Sequence, residues 1–223
     1  MLTKNNAGLL ATALALLLCA VRADAQQSML GLQAGYAFVM PEANGDVAAY
    51  DDYSNLPLGV AADFRIHKSL YFSPELSFSK RTINTLFEDF FIGEIPITLK
   101  QEQVELGIML RYYFLSNKRL QPFAAGGFGM SFNSPDKISV SNSRYDAVYE
   151  LKRNADINGM LELGLRTEVV KRLYLSLGAR YMPGANTADL NFSDSIFGVG
   201  GYQATLQLKQ FRAVLRATYA LGK

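Results

Sequence analysis

The sequence predicts an all-β fold, an eight-stranded antiparallel up-and-down barrel, on three observations. Apolar and polar residues alternate with a period of two in eight segments after residue 25, which is typical of strands with one apolar face. These segments are joined alternately by short and by long connections. After residue 25 no stretch contains the run of about 18 apolar residues that a membrane-spanning helix needs.

The composition excludes several classes of function. The 223 residues carry a net charge of +2, which is too small to indicate a nucleic-acid-binding surface. One Cys cannot form an internal disulfide or a cysteine-rich zinc site, and one His leaves little material for a histidine metal site or a catalytic triad. We therefore expect no cofactor, no bound metal and no nucleic-acid partner.

The first 25 residues have the pattern of a secretory signal peptide. Lys4 supplies a positive start, an apolar run follows over 9–21, and Ala23-Asp24-Ala25 is a small-x-small cleavage pattern. A short buried helix is the alternative interpretation of the apolar run. We expect cleavage after Ala25, which leaves 26–223 as a single cysteine-free barrel domain.

The eight predicted strands follow one another along the rest of the chain. Their apolar faces cover 30–40, 58–66, 70–78, 104–114, 122–132, 161–169, 173–181 and 211–221. Residues 202–208 also alternate, but one residue out of phase with 211–221, which predicts a β-bulge near Lys209 and Gln210.

The connections between the strands differ in length in a regular way. Those around 67–68, 116–118 and 171–172 are tight, whereas those at 41–57, 81–98, 133–156 and 183–201 are long. Short turns at one end and long loops at the other are typical of a transmembrane barrel with periplasmic turns and four extracellular loops.

The polar face of the strands indicates which side faces inward. Every basic residue on it is Arg, whereas Lys is concentrated at turns, loops and strand ends. Arg is favoured in enclosed ion pairs because its planar guanidinium satisfies several acceptors at once. We therefore predict an apolar exterior in the cell outer membrane and an interior polar network of Asp63, Arg65, Glu75, Glu105, Arg111, Glu162, Arg166, Glu168, Arg180, Arg212 and Arg216. A soluble exported lipocalin-like carrier, with its apolar face inward, is the alternative.

Three segments carry a family resemblance. YFSPELSFSKR at 71–81, GIMLRYYF at 107–114 and QPFAAGGFGM at 121–130 resemble the PorT-like outer-membrane β-barrel family. The resemblance covers most of the chain after residue 25 and implies a small outer-membrane barrel. A role as an accessory barrel of a protein secretion system follows only from this resemblance.

The predicted interior favours a closed barrel without enzymatic activity. An eight-stranded barrel is about wide enough for its own side chains, so the charged network would fill it and exclude a diffusion pore. The only His, His67, lies in a short turn, at the opposite end from the long loops. No His-based catalytic group is therefore available at the outer rim.

The long loops are the remaining candidate functional surface. They are rich in Asp and Glu, which suits divalent cations shared with lipopolysaccharide phosphates, although simple solubility explains the same charge. An apolar patch of four loop residues suggests adhesion or a protein partner: Leu86, Phe87, Phe90 and Phe91. Alternatively, this segment is a strand hairpin packed over the barrel mouth. We expect a structural or loop-mediated binding role, with outer-membrane lipid and lipopolysaccharide as surroundings.

Overall fold

A computed structural model describes the backbone of residues 28–44, 53–89, 93–115, 118–134, 136–142, 145–151, 155–183, 187–194 and 203–221. The predicted signal peptide lies outside these residues. In the described parts of the chain no helix is long and apolar enough to cross a membrane.

The described residues contain twelve strands, which pair into one sheet. Successive side chains of each strand point to opposite faces of this sheet, as the alternating sequence predicts. The strands are β1 (Met29–Asn44), β2 (Tyr53–Asn55), β3 (Leu58–His67), β4 (Leu70–Asp89), β5 (Gly93–Tyr113), β6 (Leu120–Asn133), β7 (Asp136–Asn142), β8 (Tyr145–Leu151), β9 (Ala155–Val170), β10 (Leu173–Met182), β11 (Thr187–Asp194) and β12 (Gln203–Ala220).

Eight of these strands close into a barrel. Their order around the wall is β1-β3-β4-β5-β6-β9-β10-β12, and β12 pairs with β1 to complete the circle. All of these pairs are antiparallel. Closure gives each of the eight strands a paired neighbour on both sides. The predicted eight-stranded antiparallel barrel is confirmed.

The predicted short turns lie at one end of the barrel. Residues 68–69 join β3 to β4, and residues 171–172 join β9 to β10. β5 and β6 are paired as far as Tyr113 and Phe123 at the same end, where the N–H of Lys118 donates to the carbonyl of Leu115 at 2.9 Å. The two ends of the described chain meet there too, because the N–H of Leu221 donates to the carbonyl of Ser28 at 2.8 Å. We call this the short-turn end, and the opposite end the long-loop end.

All four segments predicted as long loops contain strand residues at the long-loop end, since β2 and the end of β1 lie in the predicted loop 41–57. β4 and β5 remain paired as far as Asp89 and Gly93, so most of 81–98 is a hairpin rather than a loop. β7, β8 and β11 lie in the predicted loops 133–156 and 183–201 and extend the sheet beyond the barrel. Pairing continues there because it satisfies backbone N–H and carbonyl groups whether or not a barrel is enclosed.

The predicted bulge near Lys209 and Gln210 is wrong. β12 pairs with β1 in one unbroken register, with Gln210 opposite Val39 and Lys209 opposite Met40. The register shifts in the barrel lie instead beside the short turns, between Arg65 and His67 and between Leu173 and Tyr174. The alternation of apolar residues in β12 therefore shifts by one position without an extra residue in the strand. Each residue of β12 from Thr205 to Ala220 has a single partner in β1.

The sheet has its apolar face outward and its charged face inward, which is the reverse of the arrangement in a soluble barrel. Leu32, Leu163 and Phe128 on the outer face are 69%, 68% and 70% exposed. Arg111 on the inner face is completely buried. Apolar side chains thus form the outer surface of the barrel, and charged side chains form much of its interior.

Candidate functional site

The interior holds nine of the eleven charged residues that the alternation assigned to it. All nine are buried: Asp63, Glu75, Glu105, Arg111, Glu162, Arg166, Arg180, Arg212 and Arg216. Four carboxylates therefore face five guanidinium groups inside the barrel. Charges removed from water need close partners, so their geometry decides what the interior can do.

Arg65 and Glu168 differ from this assignment, because both are exposed at the short-turn end. Nη2 of Arg65 donates to the carbonyl of Lys68 at 2.9 Å, and Oε1 of Glu168 accepts the N–H of Arg172 at 2.9 Å. Each residue lies beside a register shift, where the wall no longer encloses its side chain. These two residues stabilise turns instead of joining the interior network.

Glu75 on β4 is the centre of the network. Its carboxylate accepts hydrogen bonds from Arg111 at 2.9 Å, from Arg180 at 2.7 Å and from Arg216. Three cations around one carboxylate hold its charge in place, and charge-assisted bonds of this kind are about twice as strong as neutral ones.

Glu162 on β9 shares two of these arginines. Its Oε1 lies 3.2 Å from Nη1 of Arg111, and its Oε2 lies 2.6 Å from Nη2 of Arg180. Arg111 and Arg180 therefore each bridge Glu75 and Glu162. The result is a cyclic arrangement of two acids and two bases that links β4, β5, β9 and β10.

Asp63 and Gln33 complete the side of the network that faces β12. Arg216 lies 3.4 Å from Oδ1 of Asp63 and donates to Oε1 of Gln33 at 3.0 Å. The hydroxyl of Ser73 also donates to Asp63.

A second ion pair lies nearer the long-loop end. Nη1 and Nη2 of Arg212 approach Oε1 and Oε2 of Glu105 at 3.0 Å and 3.1 Å, which is the two-pronged geometry that a guanidinium forms with a carboxylate. Arg212 also donates to Oε1 of Gln210 at 3.0 Å. This pair joins β12 to β5 across the interior.

Arg166 is held in a different way, near the short-turn end. Among the described residues no carboxylate lies within ion-pair distance of it. Its guanidinium carbon lies 3.4 Å from the ring centroid of Tyr113, 5.0 Å from that of Tyr174 and 5.4 Å from that of Tyr71. Its Nε and Nη2 donate to Oε1 of Gln121 at 2.9 Å and 2.6 Å. We call Arg166 and these three tyrosines the tyrosine cage.

Little space remains among these side chains. A cavity of about 10 Å³ borders Gln33, Pro57, Arg180 and Arg212, and a space of this size holds at most one water molecule. Aromatic and methionine side chains pack beside the tyrosine cage, among them Met109, Phe123 and Met160. The described interior is therefore filled by its own residues.

The wall itself has a gap on the side of β2 and β4. The β3–β4 ladder ends where Leu58 pairs with Phe78, although β4 continues to Asp89. Next to this end lies a groove of about 490 Å³ between Tyr36, Leu56, Phe78 and neighbouring residues. This gap is not predicted by the alternating pattern, which places Pro57 in the loop 41–57. The signal for it in the sequence is a proline directly before an alternating segment, because proline has no N–H for a neighbouring strand.

The predicted loop patch is only partly visible. Leu86 and Phe87 lie in the paired extension of β4, but their side chains are outside the described part, and Phe90 and Phe91 are outside the described residues altogether. His67 is exposed beside the β3–β4 turn. Within the described residues no group of three or more His, Cys, Asp and Glu side chains is arranged to hold a metal ion.

Comparison with known proteins gives a consistent result. Residues 25–188 match the family model described as outer membrane protein beta-barrel domain. A comparison with curated protein sequences found no match.

Similar solved structures are also outer-surface barrels. The outer membrane protein OprG from Pseudomonas aeruginosa is 14% identical, with 90% of this chain and 98% of that chain covered and a TM-score of 0.66. The outer membrane protein AlkL, solved in lipid bilayers, is 15% identical, with 90% and 93% covered and a TM-score of 0.56. Neisserial surface protein A is 12% identical, with 85% and 96% covered and a TM-score of 0.50. At these identities the likeness concerns the fold alone.

Proposed function

Because the chain belongs to the outer membrane protein β-barrel domain family, and is thus an outer-membrane barrel, we propose that it is a closed anchor that carries a binding surface at its long-loop end. The observation that carries this proposal is the filled interior. Residues 1–25 serve as the export signal, and 26–223 as the membrane domain.

The closed state follows from the ion pairs across the interior. A diffusion pore needs a continuous water-filled lumen, whereas here Arg180 and Arg212 reach across the barrel to carboxylates on other strands. Opening a path for solutes would require these charges to separate inside the barrel, which costs several kcal/mol for each ion left without its partner. The barrel therefore acts as a support and not as a channel.

The orientation follows from the connections. Outer-membrane barrels have short periplasmic turns and longer extracellular loops. The turns at 68–69 and 171–172 then lie in the periplasm together with both ends of the described chain. The long-loop end, with the extension of β4 and β5 to Asp89 and Gly93, faces the outside of the cell.

The binding surface lies on that extension. The paired part of this hairpin extends as far as Asp89 and Gly93, and in the sequence Leu86, Phe87, Phe90 and Phe91 come just before or within the connection between its two strands. Exposed groups of large apolar residues are typical of docking sites for other proteins, and we propose that these four residues form one. The acidic loops provide a second surface, for divalent cations shared with lipopolysaccharide phosphates.

A non-enzymatic role fits the same arrangement. His67 lies at the short-turn end, away from the proposed binding surface, and each interior carboxylate is engaged by an arginine or a hydroxyl. A soluble lipocalin-like carrier is not favoured, because the outer face carries the exposed leucines and phenylalanines. The finer resemblance to PorT-like proteins makes an accessory role in protein secretion the second candidate, tested by assaying secreted proteins after deletion of the gene.

A liposome-swelling assay tests the closed barrel. Vesicles that contain the folded protein are diluted into an isosmotic arabinose solution, and folding is verified by the shift in gel mobility on boiling. We expect swelling no faster than in protein-free vesicles. Rapid swelling with the folded protein would contradict the proposal.

A further inference from the structure

Basic side chains are concentrated at the short-turn end of the barrel. They occur there in three pairs, which flank the β3–β4 turn, directly precede β6 and form the β9–β10 turn. Five of the six side chains are exposed, and the sixth, that of Arg172, is half-buried. We call these six residues the basic rim: Arg65, Lys68, Lys118, Arg119, Lys171 and Arg172.

The charge of the basic rim is not neutralised by the protein around it. Glu168 is the only exposed acid among the described residues at this end, and its Oε1 accepts the backbone N–H of Arg172 at 2.9 Å. Among the described side chains, no carboxylate lies within ion-pair distance of any of the six cations. The rim therefore has six cations for one acid, whereas the predicted long loops at the other end are rich in Asp and Glu.

The rim lies at the edge of the lipid-facing surface. Each pair has an exposed apolar residue next to it in the chain, which is Ile66, Leu120 or Val170. The rings of Phe114 and Tyr219 are exposed at the same end, and aromatic girdles of outer-membrane barrels mark the boundary between hydrocarbon and headgroups. Since a strand rises about 3.3 Å per residue, side chains one or two positions further along lie in the headgroup layer, which is about 5–7 Å thick.

This position favours phospholipid phosphates as the partner. Lys and Arg side chains carry their charge on a long apolar stem, so they reach the headgroups while the stem stays on hydrocarbon. The connections at 68–69 and 171–172 are only two residues long, so their charges do not project far from the membrane surface toward a polyanion such as the cell wall. The excess of positive charge favours an anionic headgroup over a zwitterionic one.

We propose that the basic rim binds anionic phospholipids. At each of the three places the two cations hold the phosphate of one lipid, and its acyl chains lie on the exposed apolar side chain beside them. In the proposed orientation of the barrel these lipids belong to the periplasmic leaflet. The proposal does not depend on the loop-mediated binding role or on the closed interior.

The absence of tryptophan from the sequence permits a direct test by fluorescence quenching. Phe114→Trp places a reporter on the outer face near Lys118 and Arg119, and Phe211→Trp places a matched reporter on the outer face toward the long-loop end. Each protein is folded into phosphatidylcholine vesicles that contain either phosphatidylglycerol or phosphatidylcholine with the same brominated acyl chains. The boiling shift in gel mobility verifies folding in every variant.

Brominated phosphatidylglycerol should quench the Phe114→Trp reporter at a mole fraction about two- to fivefold lower than brominated phosphatidylcholine, as expected for one exposed ion pair. The Phe211→Trp reporter should show no such preference. Adding Lys118→Gln and Arg119→Gln to Phe114→Trp should remove the preference. The exchange of Lys118→Arg with Arg119→Lys keeps both charges and should keep the preference.

Equal quenching of the Phe114→Trp reporter by the two lipids would overturn the proposal. A preference that survives the loss of both charges, or one that is equally strong at Phe211→Trp, would do the same. Co-sedimentation with isolated peptidoglycan that requires Lys118 and Arg119, together with equal quenching by the two lipids, would assign the rim to the cell wall instead.

Discussion

Arg180 and Glu75 connect opposite walls of the barrel. Nη2 of Arg180 on β10 lies 2.7 Å from Oε2 of Glu75 on β4, and these strands are four positions apart in a closed circle of eight. Arg212 on β12 and Glu105 on β5 are also four positions apart. These ion pairs cross the full width of the interior and connect opposite sides of the wall. They fill the space inside the barrel, and we expect their loss to destabilise the fold.

Loss of the Glu75 charge should destabilise the barrel strongly. Glu75→Gln leaves Arg111, Arg180 and Arg216 without their shared anion, and breaking a buried pair costs about 3–5 kcal/mol. Urea unfolding in lipid vesicles, followed by gel mobility, measures the free energy of unfolding. The control is Glu102→Gln, which removes the exposed pair with Lys80 and should cost less than about 1 kcal/mol. Equal effects of the two substitutions would contradict the network.

The tyrosine cage should require the planar guanidinium and not merely a positive charge. Arg166→Lys keeps the charge but loses the stacking on Tyr113 and the paired donation to Gln121. We expect a loss of about 1–2 kcal/mol and a weaker tyrosine signal in near-ultraviolet circular dichroism. Arg119→Lys at an exposed position is the control and should leave both quantities unchanged. An unaltered tyrosine signal in Arg166→Lys would show that the cage does not order these rings.

Replacement by alanine should destabilise the barrel at Gly164, where neighbouring atoms approach closely, but not at Gly126. A Cβ atom at Gly164 would meet the ring of Phe123 at 2.6 Å and the carbonyl of Leu177, so Gly164→Ala forces a shift in the wall. We expect a loss of about 1–3 kcal/mol in the same unfolding assay. At Gly126 the added Cβ would lie 3.7 Å from Leu161, an ordinary contact, and Gly126→Ala should be close to neutral. The reverse order of the two effects would be inconsistent with the packing described.

The loop patch should contact another protein on the cell surface. The photo-crosslinking residue p-benzoylphenylalanine is introduced at Phe87 or Phe90, with Phe114 at the short-turn end as the control position. On irradiation of whole cells we expect an adduct of larger mass from position 87 or 90 and none from position 114. Crosslinks that form only within the chain would instead support a hairpin packed over the barrel mouth.

Much of the barrel was predictable because a strand allows only two side-chain directions. Because the basic residues on the polar face are Arg and not Lys, alternation alone predicts the burial of Arg111, Arg180 and Arg216. Alternation also predicts that Arg65 and Glu168 face the interior, but both side chains are exposed. Each lies beside a register shift at the end of a strand, where the wall does not enclose the side chain.

The partners inside the barrel were not predictable in the same way. Glu75 contacts three arginines because of the register between strands and the width of the barrel. Neither of these properties can be derived from the sequence of one strand. The groove beside Asn55 depends on a break between β3 and β4, which appears only when the two strands are paired. The alternation of residues therefore indicates which side chains face inward, but not which of these side chains contact one another.

Single-channel recording in planar bilayers tests the closed, ion-paired interior most directly. The folded wild-type protein is inserted into a bilayer in 1 M salt, an experimental condition chosen for sensitivity, with boiled protein as the control. The wild-type barrel should give no large, stable conductance steps. Stable porin-sized steps that require the folded protein would contradict a closed, ion-paired interior.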